Sequence, residues 1–235
     1  MQILIVRHGE PDYEHDSLTE KGSFEAELLA DRLCKLDIQD FFVSPLGRAQ
    51  ATAAPTLARL GRQAETLSWL TEFRGRIQVP GEGELVPWNL PPQYWTRCPE
   101  LYDVNRWNEN ERLRTGCYEK ILEETCQGLD SLLLRYGYRR DGYLFHTDYN
   151  TDARIVLFCH QALGLTILAL MLGISPVVMQ HSFFMPTSSV TTLITEERVQ
   201  GEVFFKCMQV GDTSHLYTAG EPVSSYGLFP EVYTA

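Results

Sequence analysis

Two arginines and two histidines carry the chemistry legible in this chain. Arg7 and His8 follow directly on the apolar run Ile3-Leu4-Ile5-Val6, Arg48 stands shortly after Ser44-Pro45, and His160 ends the run Arg154-Ile155-Val156-Leu157-Phe158-Cys159. Guanidinium and imidazole groups cannot enter a buried strand at low cost, so they belong where strands leave the sheet. Brought together, the four would offer hydrogen bonds to an oxyanion, and the planar fork of arginine matches phosphate. His8 adds a nucleophile-capable imidazole, and the side chain's ordinary pKa of about 6.5 keeps its neutral form available near neutrality. Two arginines would repel a divalent cation and no carboxylate ligands accompany them, so the pattern predicts neither a metal nor a cofactor.

These residues need elements that converge. Short apolar runs without helical spacing read as fully buried strands, here Ile3–Val6, Ile38–Val43 and Arg154–Cys159. In an open α/β sheet, ligands bind beyond the carboxyl ends of the strands. Three parallel strands ending at Arg7-His8, Ser44 and His160 would therefore deliver their residues to one place. Gly9 lets the backbone turn sharply or approach a ligand. Ala26, Leu29, Ala30, Leu33 and Leu36 recur at helical spacing behind an N-cap at Thr19, predicting a helix to about Lys35. Ser44 reads as the cap of a second helix with Pro45 in its first position, kinked or shortened by Pro55 and ended by Gly61. Arg48 then lies in that helix's first turn, where the partial positive charge disfavours it by a few tenths to about 1 kcal/mol, and a bound anion would compensate.

The remaining pattern predicts a short strand over Glu65–Trp69, a long helix from about Glu111 to Tyr136 and strands near Gly142–His146, Ser189–Thr195 and Glu202–Val210. A buried helix spans Ala162–Leu172, Arg139-Arg140 reads as a solvated helix end, and the last fifteen residues read as a surface tail. The fold class is α/β: a three-layer, mostly parallel central sheet with helices on both faces. Residues 1–235 read as a single domain with a helical or irregular insertion, about 73–150, over the strand ends. Its part 73–110 holds five prolines together with Trp88, Tyr94, Trp95, Tyr102 and Trp107. That is too irregular for one regular element and too aromatic for a disordered linker, so the aromatics read as a local core.

A formal net charge of −11 argues against nucleic acid and anionic membrane as partners. An anionic substrate would be held by local arginines against the overall field. Six widely spaced cysteines without a CxxC pair read as free thiols of a reduced, cytoplasmic protein. The chain opens on a strand, so no cleavable apolar segment is expected, and the longest apolar stretch, Ala162–Ile174, is too short to span a bilayer. Asp148-x-Asn150-x-Asp152 imitates the opening of a calcium loop but lacks the following Gly and the closing Glu, and reads as a turn. His15 reads as solvated, His146 and His181 as structural, and His215 as a packing or capping group.

Arg7-His8-Gly9-Glu10, Ser44-Pro45-x-x-Arg48-Ala49-x-x-Thr52-Ala53, Leu70-x-Glu72 and a late strand ending in His160 together resemble the histidine phosphatase superfamily, with its phosphoglycerate mutase-like fold. The resemblance runs through most of the chain except residues 73–150 and the tail. It implies that His8 is a nucleophile that becomes phosphohistidine, and that Arg7, Arg48 and His160 hold the phosphoryl oxygens. Glu72 is implied as general acid and then base, with Glu82 and Glu84 as competitors in the same region. The family commonly has Gly after the second histidine; Gln161 stands here, and its side chain would touch the phosphate or narrow the pocket. The activity implied is that of a metal-independent phosphatase acting on a small phosphorylated metabolite. The family's mutases carry a longer, Asn-rich first loop, and Pro11–Ser17 is short. A mutase, or a phospho-ligand binding protein of weak turnover on the strength of Gln161, are the alternatives. The oligomeric state is left open, a homodimer included.

Overall fold

The computed structural model describes residues 1–79 and 83–228. In chain order the main elements are β1 (Gln2–Arg7), α1 (Glu20–Leu33), β2 (Asp40–Val43), α2 (Gly47–Leu60), β3 (Glu65–Thr66), α3 (Tyr118–Leu134), β4 (Arg139–Asp141) and β5 (Leu144–His146). They continue with β6 (Arg154–Cys159), α4 (Gln161–Leu172), α5 (Pro176–Ser182), β7 (Val190–Val199), β8 (Glu202–Asp212) and α6 (Ser214–Ala219). Among the described residues the eight strands form one sheet in the order β3-β2-β6-β1-β7-β8-β5-β4. The sheet is mixed. β3, β2, β6 and β1 run parallel, and β1 onward the pairs are antiparallel.

Alternation along the buried strands explains the layers. Ile3 and Ile5 of β1, with Ile155 and Leu157 of β6, face a core closed by Leu129, Leu132 and Leu133 of α3 and by α4. Leu4, Val6, Val156 and Phe158 face the opposite core, closed by Leu29 and Leu33 of α1 and Ala49 and Ala53 of α2. A third cluster, holding Phe73, Ile77, Leu101, Trp107 and Tyr118, packs against Ala162 and Val177. The aromatic-rich stretch thus makes the local core expected of it, built from a hairpin (Ile77–Val79 with Gly83–Leu85), a short helix (Pro92–Trp95) and 3-10 turns.

Several boundaries differ from the sequence reading, each for a local reason. The long helix begins at Tyr118 and not near Glu111, because the chain at Gly116 runs so close to Arg76 that an added Cβ would sit 1.5 Å from its carbonyl oxygen. The strand expected over Glu65–Trp69 stops at Thr66, and a 3-10 turn over Ser68–Leu70 swings Trp69 onto α3. Arg139 and Arg140 belong to β4, and Arg140 pairs with Asp130 at 2.7 Å. Pro55 does not shorten α2, which continues to Leu60 and ends at Gly61 with φ +62°; Ala51, whose carbonyl loses its helical partner, is only half-buried. No helix among the described residues is long and apolar enough to cross a membrane.

Candidate active site

Strand register brings the four residues together. Val6 pairs with Phe158 and Phe158 with Val43, so the next residues, Arg7, Cys159 and Ser44, leave the sheet side by side. His8 donates its backbone N–H to Cys159 O (3.0 Å) and Ser44 donates to Phe158 O (2.9 Å), which carries the register one residue past the strands. The His8 and His160 rings lie with centroids 5.2 Å apart. Arg7, His8, Arg48 and His160 are all buried.

His8 donates Nδ1–H to the carbonyl of Gly9 at 2.7 Å. That bond leaves Nε2 as the basic, nucleophilic nitrogen. Burial, followed by the nearby Arg7 and more weakly Arg48, pulls the His8 pKa down to about 3, against the Gly9 bond that raises it. The imidazole is therefore neutral at pH 7. The turn behind it is pinned by Glu25, a fully buried carboxyl that accepts from Glu10 N and Thr187 Oγ1, both at 2.9 Å. Gly9 is required there by contact with α1 and not by a ligand, since an added Cβ would stand 2.6 Å from Gly22 O.

Arg7 donates from Nη1 to Gln161 Oε1 (2.7 Å) and Met185 O (2.6 Å), and from Nη2 to Tyr226 O (3.1 Å). Its buried Nε has no partner among the described residues. Gln161 thus shares Nη1 with the Met185 carbonyl and does not reach Nε. The C-terminal segment, expected as a surface tail, comes back to the site. Glu221 pairs with Lys21 at 2.5 Å, Ser224 donates to Glu10 Oε2 at 2.6 Å, and Tyr226 reaches Arg7. Residues 229–235 of that tail lie outside the described residues.

Arg48 occupies the first turn of α2, and the anion that compensates it belongs to the protein. Asp16 accepts from Arg48 Nη1 at 2.6 Å and from Gly47 N at 2.7 Å, serving the helix N-terminus from another loop. Asp16 adopts φ +45°, a left-handed conformation that Asp tolerates better than most side chains. Arg48 lies 5.2 Å from the Tyr13 ring centroid, and its buried Nε also has no partner among the described residues.

Ser44 is not the helix cap. α2 starts two residues later than expected, behind Leu46, and the Ser44 hydroxyl lies 2.8 Å from His160 Nε2 while accepting from Leu46 N at 3.2 Å. The hydroxyl's hydrogen has no other acceptor among the described residues, so it donates to Nε2, which places the His160 proton on Nδ1. That Nδ1 is buried and has no partner among the described residues. Burial, with His8 and both arginines nearby, drives the His160 pKa well below the ordinary histidine value, so the ring donates while neutral. Glu72 Oε1 accepts from Phe73 N at 2.8 Å and from Leu163 N in the first turn of α4 at 3.1 Å. Desolvation raises its pKa, opposed by these amides and by the charges of Arg7 and Arg48.

The structure thus groups Arg7, His8, Arg48, His160 and Gln161, with Glu72 within the field of both arginines. Of the rival carboxylates, Glu84 is exposed and bonded by Gln78, and Glu82 lies outside the described residues. His15 pairs with Asp12 in solvent, His181 donates to Val177 O beside Trp95, and His215 bonds Ser188. Glu25, Asp16 and the second role of Ser44 went unread, because each acts on a partner distant in the chain and no local spacing announces it. Among the described residues no group of three or more His, Cys, Asp or Glu is placed to hold a metal ion.

Residues 3–79 match the model of the histidine phosphatase superfamily (branch 1). Over 110 residues the chain is 36% identical to an uncharacterized protein of Mycobacterium tuberculosis, covering 40% of this chain and 52% of that one. It therefore spans about half the length of that curated relative. A probable phosphatase of Schizosaccharomyces pombe is 36% identical over 66 residues, 24% of this chain and 32% of the other. Among solved structures, a mycobacterial glucosyl-3-phosphoglycerate phosphatase superposes with TM-score 0.61 at 17% identity, covering 90% of this chain and 99% of that one. A phosphoserine phosphatase from Entamoeba histolytica superposes with TM-score 0.58 at 17% identity, covering 92% and 98%. At such identities the likeness is one of fold. The family match is carried by residues 3–79, the first third of the chain, which are similar to the histidine phosphatase superfamily.

Proposed function

We propose that the protein is a metal-independent phosphatase that hydrolyses a small phosphomonoester through a phosphohistidine on His8. One observation carries the reading. Three buried nitrogens that have no partner among the described residues, Arg7 Nε, Arg48 Nε and His160 Nδ1, belong to residues clustered around the neutral ring of His8. Buried donors are ordinarily satisfied, and a phosphoryl group with three peripheral oxygens satisfies all three.

In the first step His8 Nε2 attacks phosphorus and the bond from phosphorus to the ester oxygen breaks. Glu72, whose raised pKa keeps a proton available, gives it to the departing oxygen. The guanidiniums and His160 hold the peripheral oxygens as charge shifts between them. In the second step Glu72 takes a proton from water, the water oxygen bonds phosphorus, the N–P bond breaks, and inorganic phosphate leaves. The short Pro11–Ser17 loop supports a phosphatase over a mutase. The substrate is read as a phosphorylated metabolite met in the cytoplasm, in keeping with six free cysteines. Incubation with a panel of phosphomonoesters tests the reading: inorganic phosphate is released by the unaltered chain and not by His8→Ala. Isomerised ester without free phosphate would instead identify a mutase, and binding without conversion a phospho-ligand module.

A further inference from the structure

A cavity of about 500 Å³ lies between the segment after β3 and the first turns of α3. Its walls are mostly apolar, contributed by Trp69, Phe73, Ile121 and Leu163, and Glu72 forms part of them. Glu72 accepts from the backbone of Leu163, three residues past His160, and feels both Arg7 and Arg48, so this wall of the cavity adjoins the site around His8. Its volume is within the range of about 300–1,000 Å³ that encloses drug-sized ligands, and several times what a three-carbon alcohol fills.

Two features assign its chemistry. Besides Glu72 the charged residues lining it are Arg74 and Glu124, both exposed, Arg74 donating to Thr71 Oγ1 at 3.1 Å and Glu124 paired with Lys120 at 3.8 Å. The Trp69 ring lies directly over Gly128 of α3, where an added Cβ would come within 2.3 Å of it. A mid-helix glycine is disfavoured relative to alanine, and here it seats a flat aromatic wall against the helix.

We propose that this cavity receives the alcohol half of the ester, so that the preferred substrates are phosphomonoesters of bulky, uncharged, largely apolar alcohols and not of small hydroxy acids. The proposal rests on the phosphatase reading, because it takes Glu72 as the proton donor to the leaving oxygen. The test is kcat/KM of the full chain, by phosphate release, for ethyl, butyl, hexyl and cyclohexyl phosphate, whose alcohols are of similar acidity, with phosphoserine and 3-phosphoglycerate alongside. The expected result is a rise of at least tenfold from ethyl to cyclohexyl phosphate, carried mainly by KM, with both acids below cyclohexyl phosphate. In Ile121→Trp, which fills the cavity, the cyclohexyl-to-ethyl ratio falls to about one. A flat alkyl series, or acids preferred over bulky neutral esters, overturns the proposal while His8-dependent hydrolysis leaves the phosphatase reading standing. Hydrolysis that persists in His8→Ala strikes the phosphohistidine reading, and failure to hydrolyse any ester strikes both.

Discussion

Replacing His8 with Asn should make the fold less sensitive to acid while removing its activity. In the folded protein the His8 pKa is lowered to about 3 by burial and by the neighbouring arginines, whereas in the unfolded chain it returns to about 6.5. Between these values the unfolded state binds a proton that the folded state refuses, so stability falls as pH drops from about 6.5 towards 3 and is fully present above that window. At pH 5, about 1.5 units below the unfolded value, the loss attributable to His8 is about 2 kcal/mol. Asn keeps a side-chain N–H for the Gly9 carbonyl but does not titrate. Urea unfolding at pH 8 and pH 5 reads the difference directly. The stability lost between the two pH values should be about 2 kcal/mol smaller in His8→Asn than in the unaltered protein, whatever the variant's absolute stability. Equal losses would show that His8 is not held neutral by its surroundings, and the account of an always-ready nucleophile would fail.

Three further outcomes follow from the same geometry. Glu72→Gln should lower kcat/KM for alkyl phosphates by roughly 10²- to 10⁴-fold, and far less for nitrophenyl phosphate, whose phenolate leaves without a proton; equal losses on the two would deny Glu72 the acid role. Ser44→Ala removes the donor that sets the His160 tautomer, and the buried imbalance of about 1–3 kcal/mol corresponds to a loss of roughly 5- to 150-fold in kcat/KM. Nitrogen NMR of His160 should show the proton shared between Nδ1 and Nε2 in that variant, and an unchanged tautomer would contradict the assignment. Gly9→Ala forces a methyl against Gly22 O and should destabilise the fold by about 1–3 kcal/mol in urea unfolding, a cost that ligand-contact reasoning alone would not anticipate.

The sequence exposes the parts of this site that lie at strand exits. Arg7, His8 and His160 end uninterrupted apolar runs, and polar groups can follow such runs only where the sheet meets the site. The parallel arrangement of those strands then needs no further information. What stayed illegible acts across the chain. Asp16 neutralises Arg48 from 32 residues away and Ser44 orients His160 from 116 away. Neither pair has a spacing that a helix or strand period could reveal. Ser44-Pro45 carried a strong local signal for a helix start, and the tertiary bond to His160 overrode it by holding the hydroxyl out of the capping position. The antiparallel half of the sheet was visible as strands, but not their neighbours, which depend on contacts such as the hairpin around Gly201 (φ +80°) that turns β8 back onto β7. The stretch over residues 73–110 was readable as a local core and no further, because its turns follow from contacts such as Arg76 against Gly116.

The account turns on a covalent bond between phosphorus and one imidazole nitrogen. Rapid quenching after mixing with a ³²P-labelled phosphomonoester, followed by peptide mapping, addresses it directly. The predicted result is label on the peptide carrying His8, lost in acid, retained in base, and absent from the His8→Ala protein. Label on another residue, or steady phosphate release from the His8→Ala protein at the unaltered rate, would contradict it.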